Sequence, residues 1–238
     1  MKDNTKLYHC TNYSSLIKIL ESKYFRLSFC LEKAEYLSGL DYNFAFAMVC
    51  FADLLKNEVN NHLKRFSADA YIIMKKEWAL KHGISIVTYY NKTSISSIAF
   101  KNLIESFIQN IDSGINDIKT KNSLNLMMAF YKQYEGHYWL KNKKKFSDEK
   151  IQFFTEREWR YIPIPKNYEA YYLEEQDFIN NSIRKAKEQE LVDKKYVLDF
   201  DYDDIEYIHV KGLKNFFRFI LFLFDKGLFN RLFRKIIF

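Results

Sequence analysis

The chain has 238 residues, 48% of them hydrophobic and 43 aromatic (22 Phe, 18 Tyr, 3 Trp), which supplies a sizeable core and excludes a disordered chain. Six Gly and two Pro exclude collagen-like and Gly/Pro-rich low-complexity classes, and the length suits one large domain or one domain with an appendage. Net charge is +7, but seven basic residues from Lys211 onward face one acid, Asp225, so the tail carries +6 and residues 1–210 only +1.

Taken in chain order, Leu7–Cys10 predicts a strand, and Thr11 or Asn12 supplies the N-cap of a helix running to about Lys23, with Leu16, Ile17 and Leu20 on one face. Phe25–Phe29 alternates as a strand does. After a polar, Tyr-rich segment to Asn43, the apolar run Phe46–Phe51 predicts a buried strand. Ala70–Met74 and Ile86–Tyr90 are further strands, separated by a short helix over Lys76–Lys81 that closes at Gly83. From Ile95 to about Tyr131 the pattern is helical. Lys141, Lys143, Lys144 and Lys145 form a basic run that fits a solvated loop, with nucleic-acid contact as the weaker alternative. Trp159–Ile164 predicts a strand ended by Pro163 and Pro165, Gln176–Leu191 a charged helix, and Tyr196–Phe200 and Ile205–Val210 two more strands. Residues 169–206 are acidic, with 12 acids against 5 bases. In the tail, Leu228, Phe229, Leu232, Phe233, Ile236 and Ile237 fall on one face of a helix, and Asn230, Arg231, Arg234 and Lys235 mostly on the other. Its occupant stays open: the chain's own body, self-association or a partner protein, or an anionic membrane surface at which the chain sits peripherally. Short strands with helices among them predict an α+β domain over residues 1–212, with a helical insert at about 95–131 and a basic aromatic helical tail at 213–238.

Cys10, Cys30 and Cys50 have no C-x-x-C spacing and leave an odd thiol, so neither a disulfide framework nor a zinc knuckle is expected, and the compartment reads as reducing and cytoplasmic. The start MKDNTKLYHC lacks an apolar stretch, so no cleavable signal is expected. Phe216–Phe224 is broken by Arg218 and falls short of the about 20 apolar residues of a membrane span. The five histidines (His9, His62, His82, His137, His209) are scattered, and no metal is expected. There is no Gly-rich phosphate loop, no H-E-x-x-H and no G-x-S-x-G.

Two segments could carry chemistry. In Phe153–Tyr161, Glu156 and Glu158 stand two apart at the mouth of an apolar strand, a spacing that predicts one side of the backbone for both. Such a pair can orient a sugar hydroxyl and stabilise positive charge, or simply pair with Arg157 and Arg160. In Leu7–Thr11, His9 lies at a strand end beside a helix N-terminus, where amides favour an anion; the alternative is a core-edge histidine bonded to backbone.

A Y-H-x-T strand, a helix, an R-L-S strand and a late E-x-E-W-R strand, in that order, resemble the ADP-ribosyltransferase fold. More closely, the chain resembles the AbiGi-type abortive-infection proteins of bacterial phage defence, over roughly residues 5–210. The similarity rests on Leu7–Thr11, Ala47–Asp53 with His62, Lys75–Ala79 with His82 and Gly83, Tyr134–Gly136, and Phe154–Pro163, the last being the most specific. The resemblance implies a split mixed sheet with flanking and inserted helices, and a partner toxin for which such proteins are labelled antitoxins. The ADP-ribosyltransferase resemblance implies NAD as substrate, Glu158 as the catalytic glutamate with Glu156 before it, and His9, Thr11 and Ser28 on the NAD side. Nicotinamide–ribose cleavage has oxocarbenium character, which a fixed carboxylate stabilises in the transition state. Two functions follow: an ADP-ribosyltransferase-like effector with an unknown macromolecular acceptor, or a non-catalytic antitoxin that binds its toxin. The first requires His9 and Ser28 to line the same cleft as Glu158, and a Glu158 on the sheet face opposite His9 counts against it.

Overall fold

The computed structural model describes residues 5–33, 43–91, 93–112, 118–140, 143–163 and 171–237. The predicted Tyr-rich segment 34–42, Lys141, Ile164 and Pro165 lie outside the described residues.

The chain opens with β1 (Lys6–Thr11), and α1 (Tyr13–Ser22) starts where the Asn12 side chain accepts the Ser15 amide at 2.9 Å. The predicted strand 25–29 is in fact two, β2 (Tyr24–Arg26) and β3 (Ser28–Lys33), because the first pairs with Val197–Asp199 and the second with Asn43–Met48, on either side of buried Leu27. β4 (Asn43–Leu54) outruns its apolar kernel. Its residues read as one continuous run because both faces are covered: Ala45, Ala47, Val49 and Phe51 enter the main core, whereas Phe46 and Met48 pack on Ala129 on the other side. Next come α2 (Val59–Arg65), β5 (Ala70–Met74), α3 (Lys76–Lys81), β6 (Ser85–Ile86) and β7 (Thr88–Tyr90). The helical insert forms as α4 (Ile95–Asp112) and α5 (Ile118–Ala129) and ends in β8 (Tyr131–Gln133), which pairs in parallel with β7.

Four two-residue strands follow, β9 (Glu135–Gly136), β10 (Trp139–Leu140), β11 (Lys145–Phe146) and β12 (Ile151–Gln152). A 3-10 turn over Phe153–Glu156 leads into β13 (Glu158–Tyr161), and β14 (Tyr172–Glu174) comes next. The predicted helix 176–191 is broken into α6 (Glu175–Ile179) and α7 (Asn181–Asp193) by Asn180, whose side chain caps α7. β15 (Val197–Asp199) pairs with β2, and β16 (Ile205–Val210) with β5.

The tail is not the uniform helical appendage its periodicity predicts. It forms α8 (Leu213–Asp225), α9 (Phe229–Leu232), a 3-10 turn over Phe233–Lys235 and β17 (Ile236–Ile237). β17 lies parallel to β16, with Ile236 opposite Ile208, so edge pairing overrides helical spacing at the last residues. Phe219, Leu223 and Leu232 are 0% exposed within the main core, so the tail docks on the chain's own body.

The resulting nine-stranded mixed sheet runs β17-β16-β5-β1-β4-β13-β6, with β3 and β14 also on β4. α1, α3 and α6 to α9 bury residues against one face, and α2 and α5 cover parts of the other. The architecture is α+β, as predicted.

Candidate functional site: a split sheet over a closed ion cluster

β4 is long enough to carry two strands along each edge. On one edge β1 pairs as far as Tyr8 opposite Ala52, and β3 resumes at Ser28 opposite Met48. The other edge holds β13 over Val49–Ala52 and β14 over Phe44–Phe46. Backbone alternation supports this division: the Ala47 amide donates to Tyr171 O at 2.9 Å beside β14, whereas the Cys50 carbonyl turns toward β1. Between β1 and β3, then, Val49–Phe51 have no strand partner on that edge among the described residues. His9 fills part of the gap, with Nδ1 3.0 Å from Cys50 O and its ring packed on Phe25 and Phe51 at centroid distances of 4.8 and 5.5 Å. The backbone-bonded alternative describes His9.

A cleft of about 1090 Å³ passes through the split, and His9, Thr11, Ser28, Glu156 and Glu158 all line it. They do not share a wall. Glu158 lies opposite Ala52, and Ala52 opposite Tyr8, so these three share a face. His9 and Thr11 alternate with Tyr8 and point to the other face, His9 opposite Ile72 of the main core. Ser28, opposite Met48, is on the Glu158 face. His9, Ser28 and Glu158 thus line one cleft, as expected, but His9 reaches it from the sheet face opposite Glu158. A one-residue step along a strand reverses the side chain.

Glu156 and Glu158 do reach one place, though not by strand alternation. Glu156 ends the 3-10 turn, and Arg157 adopts φ 44°, a left-handed kink that brings the two carboxylates together. Lys132 Nζ sits 2.7 Å from Glu158 Oε2, 3.7 Å from Glu156 Oε2 and 3.8 Å from Glu32 Oε1. Arg160 grips Glu158 through Nε at 2.9 Å and Nη2 at 3.1 Å, and its Nη2 also pairs with Glu32. Arg65 Nη1 holds Glu156 Oε1 at 2.9 Å. Arg157, the other partner foreseen for the pair, turns away to Glu58. Arg160 is 0% exposed, and both glutamates are buried.

Three carboxylates thus meet three cations. Burial alone would raise the Glu158 pKa, but Arg160 and Lys132 outweigh it and hold the carboxyl well below the usual range. Burial likewise opposes charge on Lys132 and Arg160, and the facing glutamates overcome it and raise both. Burial dominates at Glu156, which is raised despite Lys132. Beside the cluster, burial and Arg65 push His62 down to about 4, so it is neutral near pH 7. Burial also pushes the Cys10 thiol up to about 12, which leaves no thiolate for nucleophilic chemistry there.

Sequence inspection missed Glu32, Arg65 and Lys132. Each sits in a stretch whose local pattern gives no sign of the cluster; Lys132 follows directly on the helical insert. No group of His, Cys, Asp and Glu side chains among the described residues could hold a metal ion. None of their helices is long and apolar enough to cross a membrane.

The transferase resemblance would set NAD against these residues. The glutamate that would face the ribose already receives three N–H groups from Arg160 and Lys132, and the histidine that would hold the ribose lies on the opposite face.

Residues 25–211 match a family model described as "Putative abortive phage resistance protein AbiGi, antitoxin". A relative from Lactococcus lactis subsp. cremoris, named abortive phage resistance protein AbiGi, is 28% identical over 188 residues, covering 74% of this chain and 76% of the relative. No solved structure matches.

Proposed function

Because the chain belongs to the AbiGi family, we propose that it is a phage-resistance protein acting as the non-catalytic antitoxin of an abortive-infection pair, by binding a partner toxin. One observation carries this reading: the charge cluster on the cleft is neutral and closed on itself. Catalysis by electrostatic stabilisation needs a preorganised charge aimed at the place where opposite charge develops. Here the Glu158 charge is already spent on Arg160 and Lys132, and displacing either would strand a buried cation. Such a cluster holds β3, β8 and β13 in fixed relation, which suits a rigid binding scaffold. What supports the rival transferase reading is that Ser28 and Glu158 line one cleft from one sheet face.

The two readings separate in cells. Expressed alone, the chain leaves growth unchanged; expressed with the toxin of its own locus, it restores growth, and the two co-purify. Incubated with labelled NAD and a bacterial lysate, the purified chain transfers no label. Growth arrest by the chain alone, relieved by Glu158→Gln at equal soluble expression, would overturn the antitoxin reading in favour of the transferase.

A further inference from the structure

α8 buries Phe219 and Leu223 but turns Leu213, Phe217, Leu221 and Phe224 outward at 72%, 62%, 68% and 59% exposure. These positions recur at i, i+4, i+8 and i+11, a single stripe along the helix. Phe224 stacks on Phe229 at a centroid distance of 4.0 Å, and Phe229 on Phe233 at 4.5 Å. Phe233 is itself 47% exposed, so the apolar ridge continues past the end of the helix. Monomeric soluble proteins rarely leave large contiguous apolar patches uncovered. The ridge is bordered by Lys214 and Arg218 on α8 and by Arg234 beside Phe233; all three are exposed and make no ion pair among the described residues. Asp225, the tail's one acid, has Lys226 within 4.0 Å. The ridge lies beyond the 25–211 family match, so what is common to the family does not account for it.

We propose that this ridge is an interfacial anchor for an anionic phospholipid surface. Phe217, Leu221 and Phe224 enter the headgroup–acyl boundary while Lys214, Arg218 and Arg234 meet lipid phosphates. At 13 residues α8 is about 20 Å long, so it lies along the membrane surface and does not cross it. A second copy is the poorer occupant. A two-fold contact would set each ridge and its unpaired cations against the same cations of its mate. A projecting ridge of Leu and Phe side chains also asks a protein partner for a matching groove, whereas lipid chains deform around it.

The test is co-sedimentation of the full-length chain with vesicles. It binds mixed phosphatidylglycerol–phosphatidylcholine vesicles, not phosphatidylcholine alone, and salt releases it. F217S/L221S abolishes binding, and K214A/R218A weakens it about 25-fold, at roughly fivefold per cation removed. Both pairs are exposed, so the melting temperature stays at the parent value, which separates lost binding from lost folding. Absence of binding to the anionic vesicles, or binding unchanged in both variants, overturns the proposal. So does a dimer in light scattering, or co-purification with the toxin, that F217S/L221S destroys; these outcomes assign the ridge to a second copy or to the partner protein.

Discussion

At the residue scale, the cluster around Glu158 makes sharp predictions because each buried charge depends on another. Glu158→Ala leaves Arg160 and Lys132 buried without their shared carboxylate, and denaturant titration should show a loss of about 3–5 kcal/mol. Glu158→Gln keeps the shape and costs less. The pH dependence follows from the direction of the shifts. The folded Glu158 pKa is depressed, so its contribution is complete above the unfolded value of about 4 and is lost as pH falls below it. Glu156, raised by burial, runs the other way and offsets part of this. His62 has the same sign as Glu158: folded it titrates at about 4 against an ordinary 6.5, so the unfolded chain binds the extra proton between those values and stability falls as pH falls through that window. His62→Gln should flatten the stability curve between pH 6.5 and 4; an unchanged slope would remove His62 as its source. Glu156 and Glu158 were legible as a pair, and the Arg160 partner was too. Lys132 was not, since no local pattern joins positions 132 and 158.

At the element scale, helix ends and strand edges explain most departures from the predicted pattern. Asn180 splits one predicted helix because its side chain bonds the amides of Ser182 and Ile183, a cap written in the sequence but read as helix interior. β9 depends on Gly136, opposite Ile151. A Cβ there would collide with the side-chain amide of buried Gln133 and come within 3.2 Å of the Phe153 ring. Gly136→Ala should therefore cost about 1–3 kcal/mol by overpacking. The same substitution at Gly83, where nothing lies within 4 Å of a Cβ, meets only the strain of φ +69°. Thermal melts of both variants compare the two causes directly.

At the scale of the whole molecule, the tail completes the sheet and the main core. Deleting residues 213–238 removes Phe219, Leu223 and Leu232 from that core and β17 from the sheet edge, so an insoluble or molten product is expected. A folded, soluble truncation with a parent-like melting curve would show that the body stands without it. The α+β class and the location of β1, α1, β5, α3, β13 and β16 were legible along the chain, because propensity, capping and hydrophobic period act over a few neighbouring residues. So were the strand end at His9 and the acidic pair at 156 and 158. Which strands share an edge of β4, that the sheet opens between β1 and β3, and that Glu158 looks away from His9 emerge only in the folded chain. These are properties of register, and register is set by contacts between residues far apart in the chain, from Ser28 opposite Met48 to Glu158 opposite Ala52. The cluster has the same origin: Glu32 on β3 and Arg160 on β13 meet across β4, Arg65 arrives on α2, and Lys132 arrives on β8 after the helical insert.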